Sequence, residues 1–199
     1  MNSLIFKINT TTKVVIEVEE SLGEAHCCTE GLVALYYNDQ KFDLSNHSVR
    51  ECLQDFKYMA EKLLKKELQL HESITKDIGF LFNEELQYKP GLVQVQRGDS
   101  YIWVGYDYLL IMGYAMAVWL YNKNDGSVVC EASPKFPFSY RNVEKDKDYI
   151  PYNKWLKNYK PYFIEEASLD LIKEWISLAA DSLVKIQQNI DRMKKECCE

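Results

Sequence analysis

The sequence predicts an α+β protein: an antiparallel β-sheet of about six strands with two long helices packed against it. Three observations predict it. Short β-branched runs near the N-terminus alternate apolar and polar residues. Two longer segments, near residues 48–70 and after Ser168, repeat apolar residues at helical spacing. Between them lies the apolar run Tyr101–Tyr121, in which Asp107 is the only charged side chain, followed by a turn and a returning strand.

The elements follow in chain order. Leu4–Ile8 and Lys13–Val18 read as strands around the Thr-rich turn Asn9–Thr12, with Val14, Ile16 and Val18 alternating against Val15, Glu17 and Glu19. Leu32–Tyr37 is a third strand. Asn38-Asp39 marks a turn into Lys41–Leu44, which completes an antiparallel meander. Ser48-Val49-Arg50-Glu51 is a capping box opening a helix whose apolar face is Val49, Cys52, Leu53, Phe56, Met59, Ala60, Leu63 and Leu64. Residues 77–88 are ambiguous, because Ile78, Phe80 and Phe82 can form one face of a strand before the Pro90-Gly91 turn. Leu92–Gln96 reads as a short strand before Arg97-Gly98-Asp99, which is too short a signal to mark an adhesion motif.

The apolar run is long enough to raise a membrane helix. Asp107 would cost about 2.5–3.5 kcal/mol inside the bilayer, and Tyr108–Tyr121 alone is too short to span it. Gly105, Gly113 and the β-branched and aromatic residues favour two strands, near 101–106 and 114–122, separated by a bend. Both faces of the second strand are apolar, so it is expected in the sheet interior. Asp125-Gly126 supplies the positive-φ position of a tight hairpin, and Pro134 closes the return strand Ser127–Ser133. Glu131 is the one charge in that strand.

From Pro134 to Glu166 the chain mixes prolines, aromatics and lysines. This reads as a long loop whose aromatics cover a sheet face, with a short helix near Tyr152–Tyr159. Interleaved bases and aromatics could instead stack on nucleic acid. Ser168 caps a final helix with the stripe Leu169, Ile172, Trp175, Ile176, Ala179, Leu183, Ile186, Ile190 and Met193, which would serve a homodimer as readily as a sheet.

With 199 residues the chain is expected to be a single globular domain, 1–199, with a core that needs no metal or disulfide staple. No basic, apolar leader opens it, so a cytoplasmic location is the default. Of the 6 cysteines, Cys27-Cys28 and Cys197-Cys198 are vicinal, a spacing that predicts free thiols and no secreted framework. His26-Cys27-Cys28 is not expected to hold a metal, since adjacent residues rarely both ligate zinc and no Cys-x-x-Cys is present. No cofactor is implied, because none of the 8 glycines fits a phosphate or dinucleotide loop.

The net charge of −6 is uneven. Between Val14 and Gln40 stand Glu17, Glu19, Glu20, Glu24, Glu30 and Asp39, without a Lys or Arg. Such a segment disfavours nucleic acid and complements a basic protein partner; the bland alternative is a solvated acidic face. Glu17, Glu19, Glu20, Glu24 and Asp39 are therefore the candidate steering charges, with Tyr140 and Trp155 as aromatic anchors. No catalytic constellation appears: His26, His47 and His71 are isolated, and there is no Gly-x-Ser-x-Gly or His-Glu-x-x-His. The sequence therefore argues against an enzyme. The rival reading is a small hydrolase or nucleic-acid-modifying enzyme that uses Asp107 and Glu131 as acid and base; a third is an oligomeric adaptor.

Trp119-Leu120-Tyr121-Asn122, Gly126, Val128, Glu131-Ala132-Ser133-Pro134 and Phe136-Pro137-Phe138 together resemble a strand–turn–strand segment. Similar segments occur in bacterial immunity-type proteins of polymorphic-toxin and contact-dependent inhibition systems. The resemblance is confined to this segment. It implies a cytoplasmic antitoxin without catalysis of its own, which binds a toxin domain through acidic or aromatic surfaces.

Overall fold

The computed structural model describes residues 2–88, 94–97, 99–103, 105–137 and 148–196. The α+β class is as expected, but the single six-stranded sheet is not: the described residues form two four-stranded antiparallel sheets and a separate two-stranded hairpin. They divide into two compact units, one built from both ends of the chain (to Glu67 and from Glu166) and one from Leu68–Glu165.

Unit 1 opens with the predicted meander, β1 (Asn2–Lys7), β2 (Thr12–Val18), β3 (Glu30–Tyr37) and β4 (Gln40–Ser48), in that spatial order. Asn9 shapes the first turn by accepting from the amides of Thr11 and Thr12. Asn38 and Asp39 both take positive φ, 47° and 64°, which closes the β3–β4 hairpin with the strand twist that such a turn matches. The β1–β3 register brings Leu4, Phe6, Val14, Ile16, Val33 and Leu35 to one buried face.

Helices α1 (Val49–Leu64) and α4 (Leu169–Glu196) pack with unit 1. Ser48 caps α1 through the Glu51 amide, as the capping-box spacing predicts. The helix is shorter than the predicted 48–70, because Lys66 adopts φ 58° and the amides of Lys66 and Glu67 fold back on Leu63 and Lys62. Phe6, Phe56 and Trp175 meet edge-on or tilted, with ring centroids 4.8–5.7 Å apart, at the centre of this core. Trp175 also donates its indole N–H to the Lys7 carbonyl at 2.7 Å. Along the predicted stripe of α4, Ile172, Trp175, Ala179 and Ile186 are buried, whereas Leu169 and Met193 at its ends are exposed.

Unit 2 departs further from expectation. The apolar run does not form two strands around a bend. It forms three: β6 (Ser100–Trp103), which pairs with β5 (Gln94–Arg97), then β7 (Leu109–Met112) and β8 (Met116–Asn122). A turn over 105–108 breaks the run. Gly105 takes φ 93° there, and its carbonyl accepts the Trp119 indole at 2.8 Å. The second sheet runs β10–β9–β8–β7, with β9 at Val128–Pro134 and β10 at Phe163–Ala167. Every residue of β8 is buried, as its two apolar faces predict. The turn holds Gly126 at φ 88°, and Asp125 accepts from the amide and hydroxyl of Ser127.

The ambiguous segment 77–88 resolves as a helix, α2 (Ile78–Tyr88): Ile78, Phe82 and Asn83 are buried at helical spacing, and the first-turn amides find a buried acceptor. The predicted loop to Glu166 contains β10, an edge strand whose alternation of buried Phe163 with exposed Ile164 hides among aromatics; its short helix, α3, is Tyr152–Leu156. No helix among the described residues is long and apolar enough to cross a membrane.

Candidate functional site

The continuous acidic segment of the sequence does not make one surface. β2 separates its parts: Glu19 and Glu20 follow Val18 at one end of the strand, whereas Asp39 lies in the hairpin beside Thr12 at the other, about 20 Å away along seven strand residues. Glu17 is not a free charge. Its side chain is largely covered, and it accepts from Tyr36 at 3.1 Å and from Lys41 at 3.0 Å. The segment has no base of its own, yet the β3–β4 hairpin supplies one across the sheet. Burial, then the hydrogen bond to Glu17, pushes the Tyr36 hydroxyl above its ordinary value.

Asp39 borders a cleft of about 560 Å³ with Lys7, Asn9, Lys13, Tyr36 and Leu171. Its surroundings carry two lysines, so this end of the sheet is not an acidic patch.

Glu19, Glu20, Glu24 and Glu30 remain exposed on the β2–β3 connection and its flanks. The connection is well fixed. Glu24 accepts from the hydroxyl and amide of Ser21, which hold its carboxyl below its ordinary value, and Arg192 adds to that effect. Thr29 is buried and donates to Glu20, while its hydroxyl accepts the His26 amide at 2.9 Å. From α4, the buried Asn189 donates to the carbonyls of both Glu24 and Ala25 at 2.9 Å. The exposed carboxylates of Glu20 and Glu24 thus sit on a braced loop.

The same loop brings together groups that spacing alone did not recommend. Cys27 and Cys28 are exposed free thiols with sulfurs 3.6 Å apart, and His26, Cys27 and Cys28 can place one ligand atom each within 4.8 Å of one another. Cys52 and Cys130 are free and buried, and burial raises the Cys52 thiol to about 12. Cys197 and Cys198 lie outside the described residues, as does the predicted anchor Tyr140.

In unit 2 Trp155 is half-buried, packed on Phe136, Tyr152 and Tyr159 with centroids 5.3–5.8 Å apart. It borders a cleft of about 540 Å³ with Pro134, Lys154, Tyr159, Lys160 and Tyr162. Among the described residues, Lys154 and Lys160 are the charged members of that lining. The predicted acidic and aromatic halves of a binding surface therefore fall in different units.

Asp107 and Glu131 occupy unlike environments. Asp107 is exposed in the turn before β7. Glu131 is fully buried on β9, and its two oxygens accept from the Ile78 amide at 3.1 Å and the Gly79 amide at 2.6 Å. These are first-turn donors of α2, so the carboxylate satisfies the positive end of that helix. Ser133 donates to the same carboxylate at 3.2 Å. Burial raises the Glu131 pKa above the ordinary range, the amides of Gly79 and Ile78 oppose that rise, and the negative charge of Asp77 adds to it.

Gly79 makes the arrangement possible. A Cβ there would lie 2.4 Å from the Cβ of Ser133, so only glycine lets the helix start approach β9. Asn83 completes the junction, donating to the carbonyls of Gly79 and Pro134 and accepting the Phe136 amide. Sequence reasoning noted Glu131 but missed its partners, which lie more than fifty residues upstream. No family model, curated protein or solved structure matches the chain.

Proposed function

We propose that this protein is a non-catalytic, cytoplasmic binding protein of the immunity type, an antitoxin that neutralises a basic toxin domain by covering it. The observation that carries the reading is the exposed group Glu19, Glu20, Glu24 and Glu30 on and beside a loop braced by Thr29 and Asn189. Exposed charges of one sign steer association and set its salt dependence. Fixing the loop beforehand lowers the ordering cost of binding. Two further features support the reading. The buried acid Glu131 is engaged by the α2 amides, which leaves it ill placed for proton transfer to a substrate. Trp155 presents a rigid aromatic edge to a cleft, the kind of side chain that anchors a protein interface.

The test starts from the neighbouring genes: a gene for a large secreted protein with a toxin-like C-terminal domain is what the reading requires, and that domain is then paired with this protein. Co-expression should restore growth that the domain alone arrests. In stopped-flow binding, reversing Glu19, Glu20 and Glu24 to Lys together should slow association and flatten its salt dependence while leaving dissociation nearly unchanged. Trp155→Ala, checked by circular dichroism for intact folding, should speed dissociation instead. Growth arrest unrelieved by co-expression would remove the antitoxin reading. Binding with an unaltered salt slope in the triple reversal would place the partner surface elsewhere.

A further inference from the structure

We propose that His26, Cys27 and Cys28 form a three-ligand site for a thiophilic divalent cation of the zinc class, on the β2–β3 loop of unit 1. Distances come first. Two zinc–sulfur bonds of about 2.3 Å at a tetrahedral angle set their sulfurs about 3.8 Å apart. The Cys27 and Cys28 sulfurs are 3.6 Å apart, already near that span and far from the separation of about 2.05 Å in a disulfide. The imidazole closes the set, since one atom from each of the three residues lies within 4.8 Å of the others. The amide of Cys28 donates to His26 Nδ1 at 3.2 Å, which turns the ring back over its own turn.

Adjacent residues seldom ligate together because an ordinary backbone sends their side chains apart. This loop is held otherwise. Its entry is fixed by Ser21–Glu24 and by Asn189, and its exit by Thr29, whose carbonyl also accepts the Val49 amide. The three donors are thus gathered by a scaffold that exists before any ion arrives, as a binding site requires.

The donor set selects the ion. Two thiolates and one imidazole suit zinc and cadmium, and disfavour magnesium and calcium, which take oxygen ligands. Three protein ligands on an exposed loop leave a fourth tetrahedral position for water or a ligand from another molecule. The local field is mixed: Glu20 and Glu24 on the loop favour a cation, and Arg192 on α4 opposes it. Binding a divalent ion forms two metal–sulfur bonds and releases the thiol protons to solvent, with no change in oxidation state.

Cadmium titration of the reduced, desalted protein tests this, in a Cys197→Ser, Cys198→Ser background where Cys27 and Cys28 are the exposed thiols and Cys52 and Cys130 are buried. The expected result is one ion per chain, a thiolate-to-metal charge-transfer band, and protection of two thiols from alkylation. Cobalt should give the d–d bands of a tetrahedral thiolate site. Affinity should fall with falling pH as protons compete for both sulfurs. Cys27→Ser or Cys28→Ser should weaken binding by more than about tenfold, and His26→Ala by about tenfold. These positions are exposed or half-buried loop residues, so thermal unfolding of the apo variants should match the parent. Absence of the band, equal affinity in Cys27→Ser, or a parent mass two hydrogens short with no ion bound would overturn the proposal.

Discussion

Each unit builds a four-stranded antiparallel sheet, but the two bury different chemistry. Unit 1 centres on Phe6, Phe56 and Trp175, and its buried polar side chains, such as Thr29 and Asn189, secure the edges of the core and one loop. Unit 2 places a carboxylate in the middle of its sheet and answers it with the start of a helix. An apolar core tolerates approximate fit and resists loss of volume. A buried polar junction depends on each partner, because one lost acceptor leaves donors without water or protein to receive them. The difference teaches that equal sheet size does not imply equal means of holding the sheet together.

The largest expected effect is in unit 1. Trp175→Ala should cost about 3–5 kcal/mol in chemical denaturation, the range for removing a fully enclosed aromatic. Native-state hydrogen exchange should show the loss among amides of β1–β4, α1 and α4. Equal loss of protection in β7–β9 would mean that the two cores unfold as one cooperative unit.

Next is the junction of unit 2. Glu131→Gln keeps the shape but replaces one accepting oxygen with a donor group facing an amide, so about 2–3 kcal/mol should be lost at neutral pH. The pH dependence sharpens the point. A carboxyl whose folded pKa is raised above its unfolded value contributes most stability below the unfolded value, and that contribution is lost as pH rises through the folded one. Wild-type stability should therefore carry a declining component above about pH 4.3, the ordinary Glu value, that Glu131→Gln lacks. Parallel stability–pH curves for the two proteins would show that the carboxyl titrates alike in folded and unfolded chains.

Asn189→Ala should have the smallest effect, about 1–2 kcal/mol, from losing its hydrogen bonds to the β2–β3 loop. Proteolysis should become faster within residues 21–29 and not elsewhere. An unchanged cleavage rate there would mean that Ser21 and Thr29 alone brace the loop.

Much of the fold was legible because its signals are local. Ser48 before an apolar helix face, Asn38-Asp39 between strands, Asp125-Gly126 in a hairpin and the stripe from Ile172 to Ile186 each state their conformation within a few residues. Segment 78–88 was not legible in this way, since Ile78, Phe80 and Phe82 suit a strand by their own periodicity. β10 was hidden for a related reason: an edge strand of five residues among aromatics has too little length to show a period.

The sequence by itself determined the α+β class, the N-terminal meander, the first and last helices and the interior position of β8, because side-chain period and turn chemistry act through neighbouring residues. Tertiary structure alone decided which charges are free. Lys41 reaches Glu17 across a hairpin, Glu131 is met by amides more than fifty residues away, and Asn189 holds a loop at the other end of the chain. Electrostatic and hydrogen-bond partners act through space, over distances that no local pattern encodes.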